Sequence, residues 1–142
     1  MIIANSINLL TATILILRAL GRKTSEQILG IVVVLFVIPL LLIFVMNITG
    51  EKEWWSYILV LPAILYLIIE LVFDYILKIK FRTTKLHGLY ISIYYLALFG
   101  LIGYSFAAAK LYGVITLVTY FINLGITGYL LTSKKYRDKM YG

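Results

Sequence analysis

Long unbroken apolar stretches set the pattern of this chain. Four of them stand out, Ile28–Met46, Tyr57–Leu77 (with Trp54 and Trp55 ahead of it), Leu89–Ala107 and Leu111–Thr132, each about 19–22 residues long. About 20 residues of helix cross the hydrocarbon core of a bilayer. The segments must be helical there, because lipid offers no partner to open backbone N–H and C=O groups. A fifth stretch, Met1–Leu17, is shorter and ends at Arg18. It spans roughly 25 Å as a helix, a little less than the ~30 Å core. It lacks the basic start and small-residue cleavage site of a signal peptide. Asn5, Asn8 and Thr11 point one way around it, and Ser6 and Thr13 another, so it lacks the two-faced pattern of a helix lying on the membrane surface. A fifth crossing is the favoured reading. Gly21 would end it, and Thr24 with Gln27 would open the next helix as a capping box. The connections are short, so consecutive helices run antiparallel. The predicted fold is an all-α integral membrane protein. It is an up-down bundle of four long transmembrane helices with a shorter fifth N-terminal helix, in one domain over residues 1–142.

Composition agrees with this. The chain is 63% hydrophobic and 13% charged, with a mean hydropathy of +1.01, against about 25% charged residues in an average soluble protein. No polar stretch is long enough for a soluble domain. With no cysteine, disulfides, thiolate metal sites and cysteine nucleophiles are excluded.

Charge gives the topology. Of the 13 Lys and Arg residues, Lys52 and Lys110 fall at one set of helix ends and the other eleven at the opposite set. The positive-inside rule puts the eleven, and with them the C-terminus, in the cytoplasm, with Met1 outside. Trp54, Trp55 and Tyr57 on the outer side, and Tyr75, Tyr90 and Tyr129 on the inner side, fit interfacial belts. The expected location is the plasma membrane of a prokaryote, and the expected partners are the bilayer and its anionic headgroups at the cytoplasmic face. A second copy of the chain or another membrane subunit is compatible with so apolar a surface. Nucleic acid is not an expected partner, because the basic residues follow membrane topology and lie in short loops.

The chemistry lies in "YLIIELVFDYILK", Tyr66 to Lys78. Tyr66, Glu70, Asp74 and Lys78 follow i, i+4 spacing and share a helix face. A charge at bilayer depth costs at least about 2.5–3.5 kcal/mol, so an intramembrane carboxylate faces the bundle interior, has partners, or marks an ion or proton pathway. Glu70 is the candidate ion- or proton-binding group, and Asp74 a second carboxylate nearer the cytoplasm. Asp74 is also placed to pair with Lys78. Tyr94, Tyr95 and Asn123 fall at the depth of Glu70 on the last two helices, and with Tyr66 they are the candidate supports. His87 is a weak candidate metal ligand beside the two carboxylates. Pro39 and Pro62 free the carbonyls of Leu35 and Ile58 and mark kinks. Gly100, Gly103, Gly113, Gly125 and Gly128 permit close helix contact.

No phosphate loop, HExxH, GxSxG or haem-type histidine pair is present, so no cofactor is implied and no catalytic residues are assigned. Three functions stay open. The leading one is an ion- or proton-coupled transporter or channel-type protein, or a subunit of one, centred on Glu70. The others are a non-catalytic accessory or assembly subunit and a metal-dependent lipid-modifying enzyme using Glu70, Asp74 and His87.

Overall fold

The computed structural model describes residues 1–78, 86–133 and 136, with His87 described by its backbone alone. All regular structure among these residues is helical. The basic segments 79–85, 134–135 and 137–142, which carry much of the charge asymmetry, lie outside the described residues.

Helix α1, Ile2–Ala19, ends as its sequence predicts. Gly21 takes the left-handed conformation at φ 76°. Its N–H bonds the Arg18 carbonyl, and the Arg22 N–H reaches back to Leu17, both at 2.9 Å, the paired closure of a glycine-terminated helix. The capping box expected next does not form. Helix α2, Lys23–Leu35, starts two residues earlier, with Arg22 in the cap position and no side-chain cap. Thr24 therefore lies inside the helix. Glu26 turns instead to Arg18, whose Nε and Nη2 both lie 2.7 Å from Glu26 Oε1.

The first long apolar run is two helices in line, α2 and α3, Val37–Thr49, broken at Phe36. Pro39 has no N–H to give Leu35. The Phe36 N–H turns back to Val33 at 3.1 Å. Pro62 acts in the same way on the second run. A single turn, α4, Trp55–Ile58, stops before Leu59 and Val60, and α5, Leu61–Glu70, restarts with Pro62 in its first turn. The interruption brings backbone against backbone. A Cβ added at Gly100 would sit 2.3 Å from the Leu59 carbonyl oxygen. Beyond Glu70 the chain winds into a π-helical segment, Leu71–Ile76. Helix α6, Leu86–Ala108, and helix α7, Lys110–Thr132, are continuous and separated by Ala109 alone.

Grouped by continuity, five helical stretches among the described residues are long and apolar enough to cross a membrane: Ile2–Ala19, Lys23–Thr49, Trp55–Ile76, Gly88–Ala108 and Lys110–Thr132. They close into a ring. α1 packs on α2, α2 and α3 on α5, α5 on α6, α6 on α7, and α7 again on α1. Consecutive members are antiparallel, and because five is odd, α1 and α7 meet in parallel. The core lies where α1, α5 and α6 converge, with Ile7, Val60, Leu67 and Leu98 fully buried. At the end away from Arg18, Asn47 donates to the Ser56 carbonyl at 3.0 Å and to the Tyr104 hydroxyl at 3.2 Å. It ties α3, α4 and α6 together. The α2–α3 stretch is the least buried of the five, and it exposes Ile38, Leu41, Leu42 and Val45.

Candidate functional site

Glu70 is the last residue of α5, where α-helix gives way to π-helix. Its side chain is half-buried and accepts a hydrogen bond from the Tyr90 hydroxyl of α6. That hydroxyl also lies 3.3 Å from the hydroxyl of Tyr66, one turn back on α5. The Tyr66 ring is in contact with the rings of Tyr90 and Tyr94, at centroid separations of 5.6 and 5.1 Å. Tyr94 in turn meets Tyr95 at 5.3 Å. Four tyrosine rings thus make one continuous wall beside the carboxylate.

The wall faces a cavity of about 380 Å³ to which all five stretches contribute. Thr11, Ile14, Leu15 and Arg18 line it from α1, Gly30 and Val33 from α2, Tyr66 and Glu70 from α5, Tyr90, Ile91, Tyr94 and Tyr95 from α6, and Thr127 and Leu131 from α7. This size falls in the range of small-molecule sites, which are largely apolar with a few convergent polar groups. Arg18 and Glu70 are its charged lining residues. The Arg18 charge is met at the wall by Glu26.

A second polar group lies against one side of the cavity and fastens α1 to α6 and α7. Asn123, 2% exposed, donates from Nδ2 to the Asn8 carbonyl at 2.8 Å, to Thr11 Oγ1 at 2.7 Å and to the Tyr94 hydroxyl at 2.9 Å. Thr127 Oγ1 donates to its backbone carbonyl at 2.9 Å. Further from Arg18, Asn8 Nδ2 donates to Thr119 Oγ1 at 3.0 Å, and that hydroxyl lies 2.9 Å from Asn5 Oδ1. Asn5, Asn8 and Thr11 are the α1 stripe read from the sequence. Their partners on α7 are Asn123, a candidate from the sequence, and Thr116 and Thr119, which are not singled out by it.

The expected single cluster of Glu70 with Tyr94 or Tyr95 and Asn123 is therefore two clusters. Tyr90 occupies the place at Glu70. Tyr94 bonds Asn123 and Thr11, and Tyr95 joins through its ring. The wall of tyrosines links the two. Asp74 is half-buried in the π-helical segment and is not among the residues lining the cavity, so the two carboxylates do not share it. The same segment undoes the i, i+4 geometry expected for Asp74 and Lys78. Its i→i+5 winding changes the angle per residue, and Lys78 lies past its end at φ 49°. What the segment does achieve is to aim Tyr75 at α2, where its hydroxyl lies 3.5 Å from the Gln27 carbonyl and fills the space over Gly30. The His87 side chain lies outside the described residues. Among those described, no three His, Cys, Asp or Glu residues gather as a metal site would require.

No protein-family model, curated protein or solved structure matches the chain.

Proposed function

We propose that this chain is a multi-pass membrane protein of the transport or channel type, in which Glu70 binds a proton or cation inside the bundle. The observation that carries the reading is the cavity of about 380 Å³ that reaches Glu70 and is lined from all five apolar stretches. Glu70 forms part of the cavity wall, as intramembrane ionisable groups on ion and proton pathways do. The cavity lies in the half of the bundle that holds Arg18. By the distribution of Lys and Arg that half is the cytoplasmic one, and the C-terminus lies on the same side. Tyr90, Tyr66, Tyr94 and Tyr95 shape the site, while Asn123 anchors α1 and α7 behind it. Asp74 belongs to the approach from the cytoplasm.

The test is proton flux in proteoliposomes, read by a trapped pH indicator under an imposed membrane potential. Wild type should carry flux above protein-free liposomes, and Glu70→Gln should return it to that baseline with the fold retained by circular dichroism. Flux that is equal in wild type and Glu70→Gln, or absent from wild type, overturns the reading.

A further inference from the structure

The charged groups that line the cavity already have partners. Arg18 pairs with Glu26 at 2.7 Å, and Glu70 accepts a hydrogen bond from the Tyr90 hydroxyl. A charged ligand would give up its water without an unpaired charge to meet, and burying an ion on those terms is costly. The cavity offers ring surface instead. Tyr66, Tyr90, Tyr94 and Tyr95 form one wall of it, with neighbouring ring centroids 5.1–5.6 Å apart. Ile14, Leu15, Val33 and Leu131 add aliphatic surface. An aromatic ring placed against other rings gains more than burial alone supplies. The lining hydroxyls differ in what they have left to give. Thr11 is fully used: it donates to the Ile7 carbonyl at 2.7 Å and accepts from Asn123 at 2.7 Å and from Tyr94 at 3.3 Å. Thr127 donates to the Asn123 carbonyl at 2.9 Å, and the lone pairs of its oxygen meet no donor among the described residues. Tyr95 touches Tyr94 through its ring, and its hydroxyl has no hydrogen-bond partner among the described residues. A ligand hydroxyl or N–H can therefore donate to Thr127, and a ligand oxygen can accept from Tyr95.

We propose that the cavity binds a neutral aromatic molecule carrying a hydroxyl or N–H group, with its rings against the tyrosine wall and its polar hydrogen on Thr127 Oγ1. The proposal rests on the transport reading for the role of this molecule, and names it as the class of cargo that shares the cavity with Glu70. At about 380 Å³ the cavity lies at the small end of ligand sites, which suits a fused-ring molecule without long branches.

The test uses the full chain in nanodiscs of phosphatidylglycerol and four radiolabelled probes. Naphthol, naphthoate and naphthylmethylammonium share a ring system and differ in charge, and decahydronaphthol is the saturated form of the first. Saturable binding above protein-free discs is expected for naphthol, with both ions at least tenfold weaker. Decahydronaphthol should be weaker by roughly 2- to 12-fold, the range for one aromatic contact. Tyr95→Leu should weaken naphthol binding over the same rough range, with Tyr95→Phe, which keeps the ring, between it and wild type. Thr127→Val, which keeps the shape and removes the acceptor, should weaken it by roughly 2- to 12-fold, as expected for one hydrogen bond. Absence of saturable naphthol binding overturns the proposal, as does binding of either ion as tight as that of naphthol. Equal binding of decahydronaphthol marks a pocket for lipid chains and overturns it too. So does naphthol binding that neither Tyr95→Leu nor Thr127→Val changes. Should those variants fail to fold, the comparison of the four probes on wild type decides alone. Glu70-dependent proton flux without naphthol binding sinks this inference and leaves the transport reading standing. Naphthol binding without that flux keeps the site and removes the transport reading.

Discussion

Replacing Asn123 with leucine tests whether the buried polar group between α1, α6 and α7 holds the bundle together. The side chains are close in size, so the change removes hydrogen bonds without opening a large cavity. The carboxamide has two N–H donors and one carbonyl acceptor. Its nitrogen lies within 2.9 Å of three acceptors, the Asn8 carbonyl, Thr11 Oγ1 and the Tyr94 hydroxyl, so two are served at a time. Oδ1 lies 3.2 Å from the Tyr94 hydroxyl and 3.3 Å from Thr127 Oγ1. Three or four bonds are therefore lost. Side-chain hydrogen bonds in a membrane bundle average about 0.6 kcal/mol and reach about 1.7, which gives a loss of about 2–3 kcal/mol. The deserted groups limit the damage. Tyr94 keeps Thr11, and the Asn8 carbonyl keeps the Thr11 hydroxyl at 3.1 Å. No hydrophobic gain offsets the loss, because leucine is as comfortable in lipid as in the bundle. The assay is reversible unfolding by SDS in mixed micelles, followed by far-ultraviolet circular dichroism. A double-mutant cycle with Tyr94→Phe should show a coupling of about 0.6 kcal/mol or more. A destabilisation under about 0.5 kcal/mol, or additive single mutants, would refute the reasoning.

Gly100→Ala sets two effects against each other. Helix propensity favours alanine by about 1 kcal/mol, but the new Cβ meets the Leu59 carbonyl oxygen at 2.3 Å, and overpacking against a fixed neighbour costs typically 1–3 kcal/mol. The unfolding midpoint should fall, whereas Gly125→Ala, with nothing within 4 Å, should leave it unchanged or raised. Glu26→Gln should cost up to about 1 kcal/mol of stability by removing the ion pair with Arg18 at 2.7 Å, and the cost should shrink in high salt. An unfolding midpoint equal to wild type at low salt would contradict that. For topology, Lys52→Cys should react with an impermeant thiol reagent added outside intact cells and Ser133→Cys should not, and the reverse pattern would invert the assignment.

The elements were legible because a bilayer-length apolar run leaves the backbone few alternatives. Each run is helical to within a few residues of its expected ends, and Pro39 and Pro62 break the helices in the turn before each proline, where the missing N–H requires it. Gly21 reads just as directly. The capping box at Thr24 does not form because α2 already begins at Lys23 with Arg22 in the cap position, which leaves Thr24 inside the helix. Arg18, the penultimate residue of α1, pairs with Glu26 across the connection, a contact that exists only once two helices have packed. The π-helical segment was not legible at all. Leu71–Ile76 contains no proline or glycine, and its winding accompanies the placement of Tyr75 on α2, which no local pattern encodes.

The site was legible by depth and misread by face. Tyr90 stands one turn from Tyr94 on α6, just as Glu70 stands one turn from Tyr66 on α5, and the two helices are antiparallel. Four residues inward along α5 are therefore matched by four residues back along α6. Once Tyr66 packs on Tyr94, Glu70 must arrive at Tyr90. The contact of Leu59 with Gly100 fits the same register, further toward the other end of the bundle. Reading Tyr90 as an interfacial anchor assigned it by distance from the helix middle alone and ignored the side of the helix it shares with Tyr94. The α1 stripe shows the complementary limit. Asn5, Asn8 and Thr11 announce a polar face, but four threonines spread along α7 surround no single obvious partner. Asn123 is the deep amide among them, and the parallel packing of α1 on α7 sets it against Thr11 and sets Asn8 against Thr119.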